Sequence, residues 1–315
     1  MIALAEKERI VVTGGSGFLG RQVVAELQRC GVPPERIFVP RSAEFDLRDP
    51  EMARRAVEGA EMVIHLAANV GGIGKNREFP CTLFTDNVRI GTNTVEASRL
   101  AGVNKLVAVG TVCAYPRVPP RIPFVEDDLF EGYPEPTNAP YGEAKRALLV
   151  HLWAARDEYD FNGIYLLPTN LIGPGEHFGL GAHVLPDLIK KFAEARTKHL
   201  PNVVLWGDGS PTREFLDVRD AARGLVLAAE RYDGQDPVNL GSSREVSIAE
   251  LAETMMQMMH YTGTIRWDTE KPNGQPRRKL DVSRAKERFG FESQIPLEES
   301  LAAAIEYYER NVLRP

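Results

Sequence analysis

The sequence predicts an α/β fold, a doubly wound parallel sheet with a smaller, interleaved α/β lobe. Three observations lead there. A glycine-rich turn, Thr13-Gly14-Gly15-Ser16-Gly17-Phe18-Leu19-Gly20, joins an apolar run to a helical pattern. Apolar strand-like runs recur around Val11 and over residues 37–39, 62–66, 106–109 and 164–167, separated mostly by helical patterns, as parallel strands covered on both faces require. From Gly173 onward this rhythm breaks into a loop rich in glycine and proline.

The first run, Arg9-Ile10-Val11-Val12-Thr13, suits a buried strand, and Phe18, Leu19, Val23, Val24 and Leu27 follow at the spacing of a helix that buries one face. Between them Gly14 allows the turn, Gly17 lets a pyrophosphate approach the backbone, and Gly20 lets the helix pack close to the sheet, its N-terminus facing the phosphates. That is the nucleotide-binding unit of a Rossmann domain, with Phe18, Leu19 and Ala67 as further cofactor contacts. The second strand ends in Val39-Pro40-Arg41-Ser42, without the acidic residue that binds a free 2′-hydroxyl, so Arg41 is a candidate contact for a 2′-phosphate. The run 106–109 must open at its C-terminal end into the crevice where doubly wound sheets bind ligands, and Thr111 and Cys113 lie just past it. Beyond Gly173 a helix over 184–196 and a strand over 203–206 begin the lobe, 215–231 returns to the core, and residues after Val246 add lobe helices. Met255, Met256, Met258 and Met259 are assigned to packing on one of them. The expected division is therefore 1–172 with 212–242 for the dinucleotide, and 173–211 with 243–315 for the substrate.

In Tyr141-Gly142-Glu143-Ala144-Lys145 the tyrosine and lysine are four residues apart and share a helix face. A nearby cation, joined by an oxidised nicotinamide ring, favours a phenolate and lowers a tyrosine's pKa, making it a proton carrier near neutrality. Such a pair is common on any helix; the upstream glycine loop is what gives it meaning.

The composition, 43% apolar and 26% charged over 315 residues, is that of an ordinary globular chain. A formal net charge of −6 offers no general attraction for nucleic acid, and neither an apolar run of membrane length nor an apolar leader is present, so a cytoplasmic protein is expected. Cys30, Cys81 and Cys113 are odd in number and lack metal-ligand spacing, which argues against a disulfide framework and a zinc site. A free cysteine is most often a small buried hydrophobe. The place of Cys113 at a strand end opposes that reading, whereas Cys30 and Cys81 have no such context.

Several segments together resemble the GDP-L-fucose synthases, of the extended short-chain dehydrogenase/reductase or NAD-dependent epimerase/dehydratase family. They are the glycine loop, Tyr141 with Lys145, Ala67-Ala68-Asn69-Val70-Gly71-Gly72-Ile73, Cys113-Ala114-Tyr115-Pro116, Pro168-Thr169-Asn170-Leu171, His183-Val184-Leu185-Pro186, Trp206-Gly207-Asp208-Gly209 with Arg213-Glu214-Phe215, and residues 271–281. The resemblance spans nearly the whole chain. It implies conversion of GDP-4-keto-6-deoxy-mannose to GDP-L-fucose by epimerisation at C3 and C5 and reduction at C4 with NADPH. Protons beside a ketone are acidic, and inversion needs a base on one face of the sugar and an acid on the other. Cys113 and His183 match the family's pair. Tyr141 is carried over as the acid that protonates the C4 oxygen, Lys145 as its partner and a contact of the nicotinamide ribose, and His183 also as a cofactor contact. Thr111 stands where the family places a serine that bonds the C4 oxygen. Asn170, Lys191, Trp206, Arg213 and Lys279 match the family's substrate positions, with Arg277 and Arg278 as weaker diphosphate candidates. A homodimer formed through two helices of the nucleotide-binding core is also implied, for which residues 88–100 and 144–153 offer apolar stretches.

The chain departs from the family at Gly175-Glu176-His177, where His-Asp-Asn is usual, and at Ser16, where some members carry an arginine that meets the 2′-phosphate. With Arg41 available, NADP(H) is favoured over NAD(H). Two other readings stand beside the synthase: a redox-neutral GDP-mannose 3,5-epimerase with tightly held NAD, and a non-catalytic dinucleotide-binding protein.

Overall fold

The computed structural model describes residues 4–178, 184–271 and 273–313. Each of the five apolar runs forms a strand: β1 (Ile10–Thr13), β2 (Ile37–Phe38), β3 (Met62–His65), β4 (Lys105–Val109) and β5 (Gly163–Pro168). A sixth strand, at Val238–Leu240, completes an all-parallel sheet in which it pairs with β5. Its three residues are too few to show periodicity in the sequence. The helices between are α1 (Phe18–Arg29), α2 (Pro50–Val57), α3 (Ile73–Glu78), α4 (Pro80–Leu100) and α5 (Ala139–Tyr159).

The sheet runs β2-β1-β3-β4-β5 and then the sixth strand, so chain direction across it reverses beside β1. Successive residues of β1 serve opposite faces, as the pleat demands. Ile10 and Val12 join Val23 and Leu27 of α1 and Leu225 and Val226 of a later helix, while Val11 joins Val57, Val95, Leu148 and Leu152 of α2, α4 and α5. Every residue of β1, β3, β4 and β5 is buried, which explains their continuous rather than alternating apolar character.

Past β5 the chain makes β6 (Asn170–Ile172), α6 (Val184–Thr197), β7 (Asn202–Trp206), β8 (Thr212–Asp217) and α7 (Val218–Arg231), the helix that lies beside α1; the sixth sheet strand is then β9. It continues through β10 (Glu245–Ser247), α8 (Ile248–Met258), β11 (Thr264–Asp268), β12 (Arg277–Arg278), α9 (Ser283–Phe289) and α10 (Leu297–Tyr308). The second sheet is built on β8, flanked by β10 and β12 and paired along its C-terminal half with β6; β7 and β11 form a separate parallel pair. A third core gathers Phe192, Leu251, Met255, Met259, Leu301 and Tyr308, with Met256 and Met258 packed against it, so the methionines do pack. Ala285, Phe289 and Phe291 return to the core beneath the first sheet, and so α9 sits against the nucleotide-binding half.

Glu214 holds the second sheet to the first. Wholly buried in β8, its carboxylate accepts from the Ser243 N–H at 2.7 Å and the Leu280 N–H at 2.9 Å, while its carbonyl accepts from Thr169 Oγ1 at 3.2 Å and Asn170 Nδ2 at 2.9 Å. Removing the carboxylate would orphan the buried Leu280 amide and free that of Ser243. Glu214→Ala is therefore expected to lower unfolding stability by about 3 kcal/mol in urea titration, and a change under about 1 kcal/mol would contradict the assignment.

Candidate active site

The turn after β1 is tight because Gly14 adopts φ +70° and a Cβ there would lie 2.9 Å from the Ala67 amide nitrogen. At Gly20 a Cβ would come within 2.1 Å of the Gly14 carbonyl oxygen, so α1 can begin this close to the turn only with glycine there. Gly17 caps α1 with no side chain, and a Cβ at that position would meet only the Gly14 oxygen, at 3.2 Å, leaving room in front of the helix N-terminus. The exposed amides there suit a diphosphate, so the residues present fit a dinucleotide. Thr13 Oγ1 accepts from the Ala67 N–H at 3.3 Å and shares a 2.8 Å hydrogen bond with His65 Nδ1, which burial and the Lys145 charge push down to about 3 and so hold neutral. Phe18 and Leu19 are half-buried beside the loop, and Arg41 is exposed beyond β2.

Thr111 ends the extended segment after β4 and caps a short turn, Val112–Ala114, by accepting from the Cys113 N–H at 3.2 Å. The helix α5 lies directly on this turn. A Cβ at Gly142 would stand 2.6 Å from the Cys113 carbonyl oxygen, so glycine at 142 lets Tyr141 come alongside Cys113. Lys145, buried one turn on, donates to the Val109 carbonyl at 2.8 Å, and its own carbonyl accepts from Tyr165 Oη at 2.8 Å.

The proton chemistry of Tyr141 differs from expectation. Burial, and secondarily the Cys113 sulfur, hold the phenol above its ordinary range, and no contribution from Lys145 offsets this; burial pushes Lys145 itself down to about 8. Removing solvent from a phenolate disfavours the charged form, and that influence is the largest here. The chain alone thus keeps a protonated phenol, the form that donates.

On the other wall, Arg213 of β8 stands in register with Arg278 of β12. Arg278 Nη1 reaches to 3.7 Å from Cys113 Sγ. The strand period of two turns Arg277 away, into a bidentate pair with Glu245 at 2.7 and 2.8 Å, and Lys279 exerts its charge on Glu214 and Glu245 on that same side. Of the cations at 277–279, then, only Arg278 contacts the cysteine. Arg213 donates to the Thr212 carbonyl at 2.7 Å, and burial followed by Arg278 pushes it down to about 10. Two half-buried guanidiniums side by side favour an anion between them.

The remaining candidates lie further out. The Asn170 amide is spent on the Glu214 carbonyl, Lys191 pairs with Asp187 at 2.8 Å on α6, and Trp206, 63% exposed, has the Lys271 ammonium 6.0 Å from its ring centre. His183 lies outside the described residues. Among the described residues no cluster of His, Cys, Asp and Glu could hold a metal, and no helix is long and apolar enough to cross a membrane.

A family model described as the NAD dependent epimerase/dehydratase family matches residues 10–241, from β1 to just past β9. The chain belongs to this family. Its relatives there include a probable GDP-L-fucose synthase 1 of Oryza sativa subsp. japonica, 38% identical over 98% of this chain and 95% of that one. The GDP-L-fucose synthase of Escherichia coli (strain K12) is 34% identical over 97% and 98% of the two chains. Among solved structures, a GDP-L-fucose synthetase from Naegleria fowleri bound to NADP is 30% identical, with a TM-score of 0.88 over 99% of this chain and 96% of that one.

Sequence reasoning missed Arg21 and Glu176 in this family member. Arg21 donates to the Ser16 carbonyl at 3.1 Å and the Gly175 carbonyl at 3.0 Å, tying the glycine loop to the loop that carries Glu176. Glu176 is 9% exposed, its Oε2 has no hydrogen-bond partner, and burial pushes it up to about 8. Nothing in a loop sequence marks such burial. Because the folded pKa lies above the ordinary glutamate value of 4.5, the native state holds a proton that the unfolded state releases, and stability falls as pH rises from about 4.5 to about 8. Glu176→Gln should remove that decline and be the more stable protein at pH 9. Thermal melts across pH check this, and an unchanged slope in the variant would refute it.

Proposed function

We propose that the protein is a nucleotide-sugar epimerase-reductase that converts GDP-4-keto-6-deoxy-mannose to GDP-L-fucose with NADPH. The observation that carries this reading is the convergence of Cys113, Tyr141 and the half-buried Arg213 beside the mouth of the nucleotide-binding sheet, in a chain 38% identical to a probable GDP-L-fucose synthase over nearly its full length.

In this reading residues 1–172 with 212–242 hold the cofactor and 173–211 with 243–315 hold the sugar nucleotide. Gly14, Gly17, Gly20, Phe18, Leu19 and Ala67 line the dinucleotide, and Arg41 meets its 2′-phosphate. Arg213 takes the GDP diphosphate; Trp206 and Lys191 border the nucleotide, and Asn170 and Lys279 support the pocket wall. The Cys113 sulfur removes the proton at C3 and later at C5, and His183 returns one on the opposite face. The resulting enolate is the same from either face, so return from the other side inverts the centre. NADPH supplies the hydride for C4. Tyr141 donates its phenolic proton to the C4 oxygen, which the Thr111 hydroxyl also bonds, and Lys145 then stabilises the phenolate. A redox-neutral epimerase would employ the same residues, but the GDP-L-fucose synthase relatives favour net reduction.

Purified protein with the keto sugar nucleotide and NADPH should consume cofactor in proportion to GDP-L-fucose formed; GDP-mannose converted with NAD and no net cofactor change would overturn the reading. Tyr141→Phe should lower kcat by about 10²–10⁴-fold. Cys113→Ser should abolish deuterium uptake at C3 and C5 from heavy water while leaving NADPH binding, followed by nicotinamide fluorescence, unchanged.

The same reading includes a cytoplasmic homodimer. Exposed free thiols at Cys30 and Cys81 suit a reducing compartment, and Phe84 and Leu100 of α4 with Val150 and Tyr159 of α5 leave apolar surface on adjacent helices. Sedimentation should give a dimer for the native protein and monomer for Phe84→Glu; a native monomer would dismiss the assembly.

A further inference from the structure

We propose that Arg278, locked in place by Gln275, is the positioning residue that orients the Cys113 sulfur and supplies the cation beside it, and that diphosphate binding is left to Arg213. This rests on the reading of Cys113 as the epimerisation base. Three hydrogen bonds build the device. Arg278 Nε and Nη2 both donate to Gln275 Oε1, at 3.1 and 2.8 Å, and Gln275 Nε2 donates to the Arg117 carbonyl at 2.9 Å. With one edge of the planar guanidinium fixed, the remaining Nη1 is aimed at Cys113 Sγ, 3.7 Å away.

The contrast with its neighbour decides the assignment. Arg213 stands in register with Arg278 across the parallel β8–β12 pair, yet among the described residues its guanidinium donates to the carbonyl of Thr212, next to it in the chain. Its fork is open to a ligand, whereas that of Arg278 is spent on Gln275 and the sulfur. A carboxylate in place of Gln275 would have neutralised the guanidinium; an amide fixes its direction and leaves its charge to act on the cysteine. A cation that donates to a cysteine sulfur supports the deprotonated form, which is both the base and the nucleophile. On the opposite side the Cys113 backbone is held by Thr111 Oγ1 and pressed against Gly142, so the sulfur has one direction in which to face.

Iodoacetamide alkylation of the free protein at pH 7, resolved by peptide mass mapping, tests the device without substrate or cofactor. The exposed Cys30 and Cys81 serve as internal references. Arg278→Gln should slow modification of Cys113 by about tenfold with the two references unchanged, Arg278→Lys should restore most of the rate, and Gln275→Ala should slow it by about threefold. Native Cys113 rates in both Arg278→Gln and Gln275→Ala would overturn the proposal. So would a raised KM for the sugar nucleotide at unchanged kcat in Arg278→Gln, since that marks a diphosphate ligand. Failure of the base reading would look different: Cys113→Ser would still exchange deuterium at C3 and C5, whatever the alkylation rates.

Discussion

The whole site depends on a contact in which there is no room for a side chain: α5 resting on the turn that carries Cys113. The helix comes so near that the residue at 142 can have no Cβ. That approach brings the phenol of Tyr141 alongside a thiol from a different element, and it carries Lys145 down to the end of β4, where its ammonium finds the Val109 carbonyl. Tyr165 completes the seat from below, its hydroxyl bonding the Lys145 carbonyl. A thiol and a phenol from different elements are thereby fixed relative to each other by backbone packing.

The second wall is electrostatic. β8 places a buried anion, Glu214, directly beside a half-buried cation, Arg213, and the pleat sends them in opposite directions. Glu214 satisfies backbone amides and holds loops together, while Arg213 faces Arg278 across the strands. A cleft with two neighbouring guanidiniums and no carboxylate between them is poised for an anionic ligand, even in a chain of net charge −6. Net charge describes the surface as a whole; the cleft is decided by a handful of side chains whose direction depends on strand register.

What the sequence revealed and what it hid divide along the same line. The glycine loop was legible because strand, turn and helix leave periodic signals on either side of it, and Cys113 because it follows a buried run. β9 was invisible at three residues, and Arg278 could not be told from Lys279 because only pairing of β12 with β8 says which of the two faces inward. The burial of Glu176 and the upward pressure on the Tyr141 proton come from atoms distant in sequence, so no local pattern carries them. The sequence led to a tyrosine pKa lowered by a lysine and an oxidised nicotinamide together; in the chain alone, desolvation of the phenolate is the larger influence.

The bridge made by Arg21 has a consequence for how this chain can change over generations. Gly175 has φ +93°, and a Cβ there would lie 2.4 Å from Arg21 Nη2. Any side chain at 175 would therefore strain the backbone whatever stands at position 21, and would in addition push aside the flexible end of Arg21, whereas position 21 can change while glycine stays. The two positions, 154 residues apart, are thus joined by one hydrogen bond but constrained unequally: the glycine by its own backbone, the arginine only by what it bonds.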